Sequence, residues 1–570
     1  MNTVASTIID ALTDLGVRHV WGVVGDALNP ITEAIRVDGQ IEWFGVRHEE
    51  TAAFAAGAQA QLTGTIGVCM GTVEPGSLHL LNGLYDAKKS HVPVLAICGQ
   101  VPTSDVGSSF FQEIDNDAVF ADVSVFHATV TAGSQLPHLL EQAVNTAYAK
   151  HGVAVLTVPG DIGDLDSGRR PTFAPEGGNV PPAAELGAAA GALNAAGIVT
   201  MLVGCGARHA RSEVLQVAKT LAAPMVLTLK AKDGLEHDNP YQVGQSGLIG
   251  NPSAHRALHQ ADTLLLVGTD FPYRDWLPQD KTVIQLDSRP EHLGRRVPVT
   301  HALAGDAKST LAQLLTLLTP GRDTQHLDRH RGQFQDWQAA QLRLTDPDHD
   351  RKLLGRVRKH LDNPDELIRP ELVAAVVNDA AADDAIFTVD TGMSAVWLSR
   401  FVQMRSEQRL LGSFNLGSMA NAMPQALGAQ ALDRSRQVIA FCGDGGLMML
   451  LGDLRTAVTY QLPVTFVVFN NKRLGMVKLE QEQSGLPEFG TQLDNPDLAA
   501  VASAMGLQAK VITRPEDVAD AVRTALASQG PTLLDIHTNP DEISIPPKPT
   551  VQQGWGFAIA KIKENLDSRR

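Results

Sequence analysis

Two short polar stretches carry the chemistry in this chain. The apolar run 438–442 (VIAFC) ends in Gly443-Asp444-Gly445-Gly446, and the apolar run 464–469 (VTFVVF) ends in Asn470-Asn471. If both runs are parallel strands joined by a crossover helix over 447–461, Asp444 and Asn471 arrive at the same edge of one sheet. A carboxylate and an amide oxygen meeting there, with the phosphates of a ligand, suit Mg²⁺, which takes a few protein oxygens plus phosphate and water. Gly443, Gly445 and Gly446 let the backbone approach a diphosphate, and the following helix offers its N-terminus to negative charge. Asp-Gly and Asn-Asn are each also common turn pairs. The metal reading rests on their combination, with 24 residues between Gly445 and Asn470.

The elements that must hold these groups repeat along the chain. Near-continuous apolar runs at 92–98, 153–158, 198–204, 263–268, 282–287, 385–390 and 532–538 join the two above, most followed by Gly, Asp or Asn. Such runs read as parallel strands buried on both faces, with functional groups at their carboxyl ends. The fold class is therefore α/β, with doubly wound parallel sheets.

With 570 residues the chain is too long for one core. Residues 163–188 are rich in Gly and Pro and read as a linker, and 320–370 are polar and read as a second connection. These shifts divide the chain into 1–180, 181–345, 346–545 and a tail, 546–570; no tandem repeat is visible. The net charge of −16 argues against nucleic acid or anionic lipid as a general partner. No apolar stretch is long enough for a membrane span, and MNTVASTIIDALTDLG reads as a first amphipathic helix rather than a signal peptide. Cys69, Cys98, Cys205 and Cys442 lie far apart in apolar runs and read as small buried residues in a reducing, cytoplasmic setting.

The Gly-Asp-Gly and Asn-Asn pair resembles the signature of thiamin-diphosphate enzymes. The segments RHEETAAFAAGAQAQ (47–61), PGSLHLLNGLYDA (75–87), HVPVLAICGQ (91–100), GSSFFQEID (107–115), DNPYQVGQSGLIG (238–250), GTDFPYR (268–274) and GSFNLGSMANAMPQALGAQA (412–431) are similar to the pyruvate oxidase branch of that family. The resemblance runs almost end to end, in the order pyrimidine-binding, FAD-binding and diphosphate-binding domain. It implies three cofactors, namely thiamin diphosphate, Mg²⁺ and FAD, and a homotetramer. It implies that Glu49, rather than its neighbour Glu50, hydrogen-bonds the aminopyrimidine ring, a task for a group that can hold and return a proton. It places Gly417, Ser418 and Met419 against the cofactor, with Met419 beneath its bend, and Gly443, Asp444, Gly445, Gly446 and Asn471 around its diphosphate end; Met476 is a further cofactor contact. Asp444, Asn471 and the main-chain oxygen of Arg473 become the metal ligands. Gly247, Leu248, Ile249, Gly250, Asp270, Phe271, Pro272, Tyr273, Arg274, Asp287 and Asp306 become FAD contacts, with Asp287 at a strand end suited to a ribose hydroxyl. The loops 21–30 and 74–83 resemble those that close over the pyrimidine ring from a neighbouring subunit.

The reaction implied is oxidative decarboxylation of pyruvate to acetate and CO₂, with electrons passing through FAD to a membrane quinone. The alternatives are an acetolactate synthase-type carboligase, which Gly475-Met476-Val477 resembles, and a phosphate-dependent pyruvate oxidase. Two positions depart from the pattern. Glu74 stands where the family more often has Gly and is expected to face solvent. Met476 stands where quinone-linked members carry Phe. In the tail, Trp555, Ile559, Ile562 and Leu566 fall at helical spacing among Lys561, Lys563, Arg569 and Arg570. This is the pattern of a short interfacial helix that could bring the enzyme to the inner face of a membrane.

Overall fold

The structure, a computed structural model, describes residues 2–174, 180–347 and 367–542. The tail falls outside them. Eighteen strands among the described residues form three six-stranded sheets, every recorded pairing parallel. The α/β expectation is borne out, as is the first helix, Val4–Asp14.

The first sheet holds β1 (His19–Gly22), β2 (Glu42–Gly45), β3 (Gly67–Gly71), β4 (Val94–Gln100), β5 (Ser124–Thr129) and β6 (Val153–Pro159), ordered β2-β1-β3-β4-β6-β5. The third holds β13 (Ile386–Val389), β14 (Arg409–Gly412), β15 (Val438–Gly443), β16 (Thr465–Asn470), β17 (Gln508–Ile512) and β18 (Thr532–His537), ordered β14-β13-β15-β16-β18-β17. The two orders are the same, so the chain carries a duplicated architecture with no sequence repeat to announce it. The middle sheet differs. It contains β7 (Val199–Val203), β8 (Met225–Leu227), β9 (Gln242–Gln245), β10 (Thr263–Val267), β11 (Thr282–Asp287) and β12 (His301–Ala304), ordered β12-β11-β10-β7-β8-β9. Read from β9, that is the dinucleotide-binding order, with its reversal between β7 and β10.

Central strands are buried from end to end, as in β4, β6 and β16, which is why they read as unbroken apolar runs. The first and third sheets share one core. Helix Glu49–Thr63 packs on helix Ala422–Leu432, both rich in alanine and mostly buried. Gly428 allows the approach: a Cβ there would sit 2.4 Å from the Ala55 carbonyl oxygen. This contact seats the middle of the Glu49 helix against the third unit.

Two connections differ from expectation. The 320–370 segment contains an 18-residue helix, Gln325–Leu342. It buries Leu327, His330 and Phe334 against the middle unit, where its His330 carbonyl accepts the Ser253 hydroxyl at 2.6 Å. The reading of 163–188 as a linker is cut short from behind, because helix Ala183–Ala195 starts within it and buries Leu186, Ala189 and Ala190.

Candidate active site

β15 and β16 are neighbours in register, with Gly443 opposite Phe469. Asp444 and Asn471 therefore emerge side by side, as the spacing predicts. Asp444 is buried, and its Oδ2 accepts the Lys472 N–H at 2.9 Å and the Asn495 amide at 2.6 Å. Burial pushes its carboxyl above the usual range, against the pull of those donors. Asn471 Oδ1 accepts the N–H of Arg473 at 3.0 Å. Asn470, the other half of the Asn-Asn pair, is turned inward and donates to Asp535 Oδ1 at 2.8 Å. The crossover is not one helix. A helix begins at Asp444 itself (Asp444–Met449), a 3₁₀ turn follows (Leu451–Asp453), and a second helix runs Leu454–Thr459.

Asp390, at the carboxyl end of β13, went unread in the sequence beyond its place in a strand run. It lies at the point where the third sheet's order reverses. Its Oδ1 accepts the Ala422 N–H at 2.9 Å and its Oδ2 the Gly443 N–H at 3.1 Å. Burial pushes its carboxyl up to about 7. A Cβ on Gly446 would meet Asp390 Oδ2 at 2.5 Å, so a glycine is required there, whereas a Cβ on Gly443 or Gly417 would meet nothing within 4 Å. The space over those two glycines forms part of a cleft of about 1700 Å³, larger than the ~300–1,000 Å³ of a single small-molecule site.

One side of that cleft carries Gly417, Met419, Gly443, Asp444, Gly445, Gly446, Asn471, Arg473 and Met476. Another carries Leu248, Ile249, Asp270, Phe271, Pro272, Tyr273, Asp287 and Asp306. The loops after β7 and β10, at the middle sheet's reversal, line it as Gly204, Gly206 and Gly268; a Cβ on Gly204 would sit 2.2 Å from the Gly268 oxygen. Gly247, Gly250 and Arg274 are not on its wall. Ser418 is also off the wall and accepts the Asn82 amide at 2.9 Å. Cys205 is only half-buried and reaches the cleft, unlike the other three cysteines.

Charge in the middle wall is organised around Asp270. His91 Nε2 lies 3.2 Å from its Oδ2 and Arg296 Nη2 3.4 Å from its Oδ1. Burial alone would raise this carboxyl, but the His91 hydrogen bond and the neighbouring His292 and Arg296 charges hold it down to about 2. Asp287 accepts the Arg289 N–H at 3.0 Å, and Asp306 caps helix Ala307–Leu315 through the Ser309 N–H at 2.9 Å.

Glu49 lies elsewhere, in the first unit at the start of its helix. It is buried, and its Oε2 lies 2.9 Å from His79 Nδ1, a donor in the tautomer that protonates that nitrogen. Glu50 instead accepts the Asn82 amide at 2.8 Å. Glu49 is not on the wall of the cleft that holds Asp444. Glu74 corrects the expectation of a solvent-facing side chain. Its Oε2 accepts the Leu78 N–H at 2.9 Å, its Oε1 is buried without a hydrogen-bond partner, and burial raises its carboxyl, with the Glu49 charge adding to the rise. The loop folds back into the first unit, so residue 74 points inward.

A carboxylate and an amide at adjacent strand ends, over an open glycine cradle, could hold a metal-bound diphosphate. Family profiles described as the thiamine pyrophosphate enzyme N-terminal TPP binding domain, central domain and C-terminal TPP binding domain match residues 2–119, 186–314 and 390–536. The chain belongs to the thiamine pyrophosphate enzyme family. Among its relatives, protein YdaP of Bacillus subtilis (strain 168) is 38% identical over all of this chain and 97% of its own length. Pyruvate oxidase of Lactiplantibacillus plantarum is 32% identical over 93% of this chain and 87% of its own. The acetolactate synthase isozyme 2 large subunit of Escherichia coli (strain K12) is 31% identical over 95% of this chain and 96% of its own.

Proposed function

We propose that this enzyme oxidatively decarboxylates pyruvate: pyruvate, water and a quinone give acetate, CO₂ and quinol. The observation that carries the reading is the single cleft shared by the Asp444–Asn471 wall and the reversal-point loops of the middle sheet. A decarboxylase alone has no need of a second cofactor-sized space beside its metal site. When bound, thiamin diphosphate supplies the carbanion chemistry of decarboxylation and FAD the two-electron acceptor.

The chain's own residues divide the work. Asp444, Asn471 and the Arg473 carbonyl would hold Mg²⁺ and through it the diphosphate, a donor set of hard oxygens that fits this ion. Met419 would press from below; it lies close to the diphosphate loop, since a Cβ on Gly445 would meet Met419 Cε at 3.4 Å. Glu49 would hold and return a proton at the ring nitrogen, with His79 fixing one of its oxygens. Because Glu49 is absent from the wall around Asp444 in its own chain, a second copy would complete each site, in keeping with a homotetramer. Leu248, Asp270, Phe271, Tyr273, Asp287 and Asp306 would contact FAD. Met476 lines the cleft on the Asp444–Asn471 side.

Among the described residues no helix is long and apolar enough to cross a membrane; contact with a membrane quinone is assigned to the tail on the helical spacing of Trp555, Ile559, Ile562 and Leu566. A carboligase is the second reading, favoured by the acetolactate synthase relative. Product analysis separates the options. With pyruvate and a quinone analogue in phosphate-free buffer, acetate and quinol in equal amounts support the proposal. Acetolactate in place of acetate, or a requirement for phosphate, overturns it.

A further inference from the structure

The crossover that starts at Asp444 also reaches into the first unit, and there it grips the chain around Glu49. Asp453, in the 3₁₀ turn that breaks this crossover, is buried and accepts three hydrogen bonds of 2.7 Å. The Arg47 N–H and the Thr456 hydroxyl reach its Oδ1, and the Thr51 hydroxyl reaches its Oδ2. At the far end of the crossover, the Tyr460 hydroxyl oxygen accepts the Gly45 N–H at 2.6 Å, and its ring lies 4.6 Å from that of Phe44. Glu49 is therefore bracketed: residues 45 and 47 before it and 51 after it are all tied to the segment that carries Asp444. An anion with two oxygens suits this point, because it takes donors from both sides of Glu49 at once and charge-assisted bonds are the stronger ones.

We propose that Asp453 is a positioning residue for Glu49, fixing the backbone on both sides of it and making the two cofactor half-sites of one chain a single rigid body. This rests on the reading of Glu49 as the acid that bonds the cofactor ring. Misplacing a reacting group by about 1 Å can cost on the order of a hundredfold in rate, so loosening the bracket should slow proton exchange without weakening diphosphate binding.

The test uses the holoenzyme with Thr51→Val, Thr51→Ser, Asp453→Asn and Glu49→Gln. The readouts are hydrogen–deuterium exchange at the thiazolium carbon of bound thiamin diphosphate, kcat, half-saturating cofactor concentration and flavin content. Thr51→Val should slow exchange and kcat together by on the order of tenfold or more, leaving cofactor half-saturation and flavin content at wild-type values. Thr51→Ser, which keeps the hydroxyl, should restore both rates, and Asp453→Asn should be slower than Thr51→Val. Wild-type exchange in Thr51→Val and Asp453→Asn beside slow exchange in Glu49→Gln overturns this proposal alone, leaving the bracket as domain packing. Loss of cofactor affinity in Thr51→Val that Thr51→Ser does not rescue overturns it too. Wild-type exchange in Glu49→Gln overturns the reading of Glu49 and this proposal with it.

Discussion

Asp444 Oδ2 accepts the main-chain N–H of Lys472 across 2.9 Å, tying the end of β15 to the turn after β16. The Asn495 amide takes the same oxygen, which orients the carboxylate proposed as the metal ligand. Asp444→Ala removes the charged ligand and should abolish saturable thiamin diphosphate binding. Asn495→Ala should weaken Mg²⁺-dependent binding by ~10–100-fold, as loss of a group that orients a ligand does. Cofactor titration followed by tryptophan fluorescence checks both, and wild-type affinity in Asp444→Ala removes the metal assignment.

Glu49 and Glu50 are adjacent in sequence but differ in setting, one buried against His79 and the other held by Asn82. Glu49→Gln should reduce turnover by ~10²–10⁴-fold, the usual range for a positioned acid or base, with FAD retained. Glu50→Gln should stay within a few-fold of wild type. Steady-state kinetics with a soluble electron acceptor measures both, and the reverse order would move the role to Glu50.

Asp86 gives a pH prediction. It is buried, its Oδ2 accepts the Gln425 amide at 3.1 Å, and burial raises its carboxyl to about 6. The folded chain thus binds this proton more tightly than the unfolded chain. The associated stability is present below the ordinary carboxylate range and is lost as pH rises from about 4 to about 6. Asp86→Asn lacks that loss. Its melting temperature relative to wild type should increase between about pH 4 and about pH 7, by the equivalent of up to ~3 kcal/mol. A flat difference across that range would contradict the assignment.

Residues 551–570 test the membrane reading. About 0.8 kcal/mol per buried CH₂ and about 1 kcal/mol per basic residue near anionic lipid would allow reversible attachment, opposed by the net charge of −16. Deleting them should lower turnover with a long-chain quinone in vesicles and leave turnover with a soluble acceptor unchanged. Equal quinone turnover with and without the segment would require another route for the quinone.

What the sequence made legible follows from physical separability. All nine apolar runs read as strands are strands, because burial on both faces leaves few polar positions in them, Gln285 and Asp535 being buried exceptions. Most of the nine unread strands are short or lie towards sheet edges: β8 has three residues, and β17 mixes Gln508 and Lys510 with apolar side chains. The Asp444–Asn471 pair was legible because one crossover joins its two halves. Asp453 was not, since its partners Arg47 and Thr51 lie 406 and 402 residues away and a lone Asp in a crossover carries no signal of them. Glu74 was misplaced for the same reason: a polar side chain in a loop looks solvated until the fold turns it inward. The duplicated sheet order was invisible because topology constrains the apolar pattern of each strand and not the identity of its residues.

In the proposed reaction, decarboxylation and flavin reduction occur in one cleft. Its most direct measurement is the visible flavin spectrum of the holoenzyme after anaerobic addition of pyruvate alone. The oxidised flavin should bleach, recover on adding a quinone analogue, and stay unbleached in Asp444→Ala. A flavin that stays oxidised while pyruvate is consumed would contradict it.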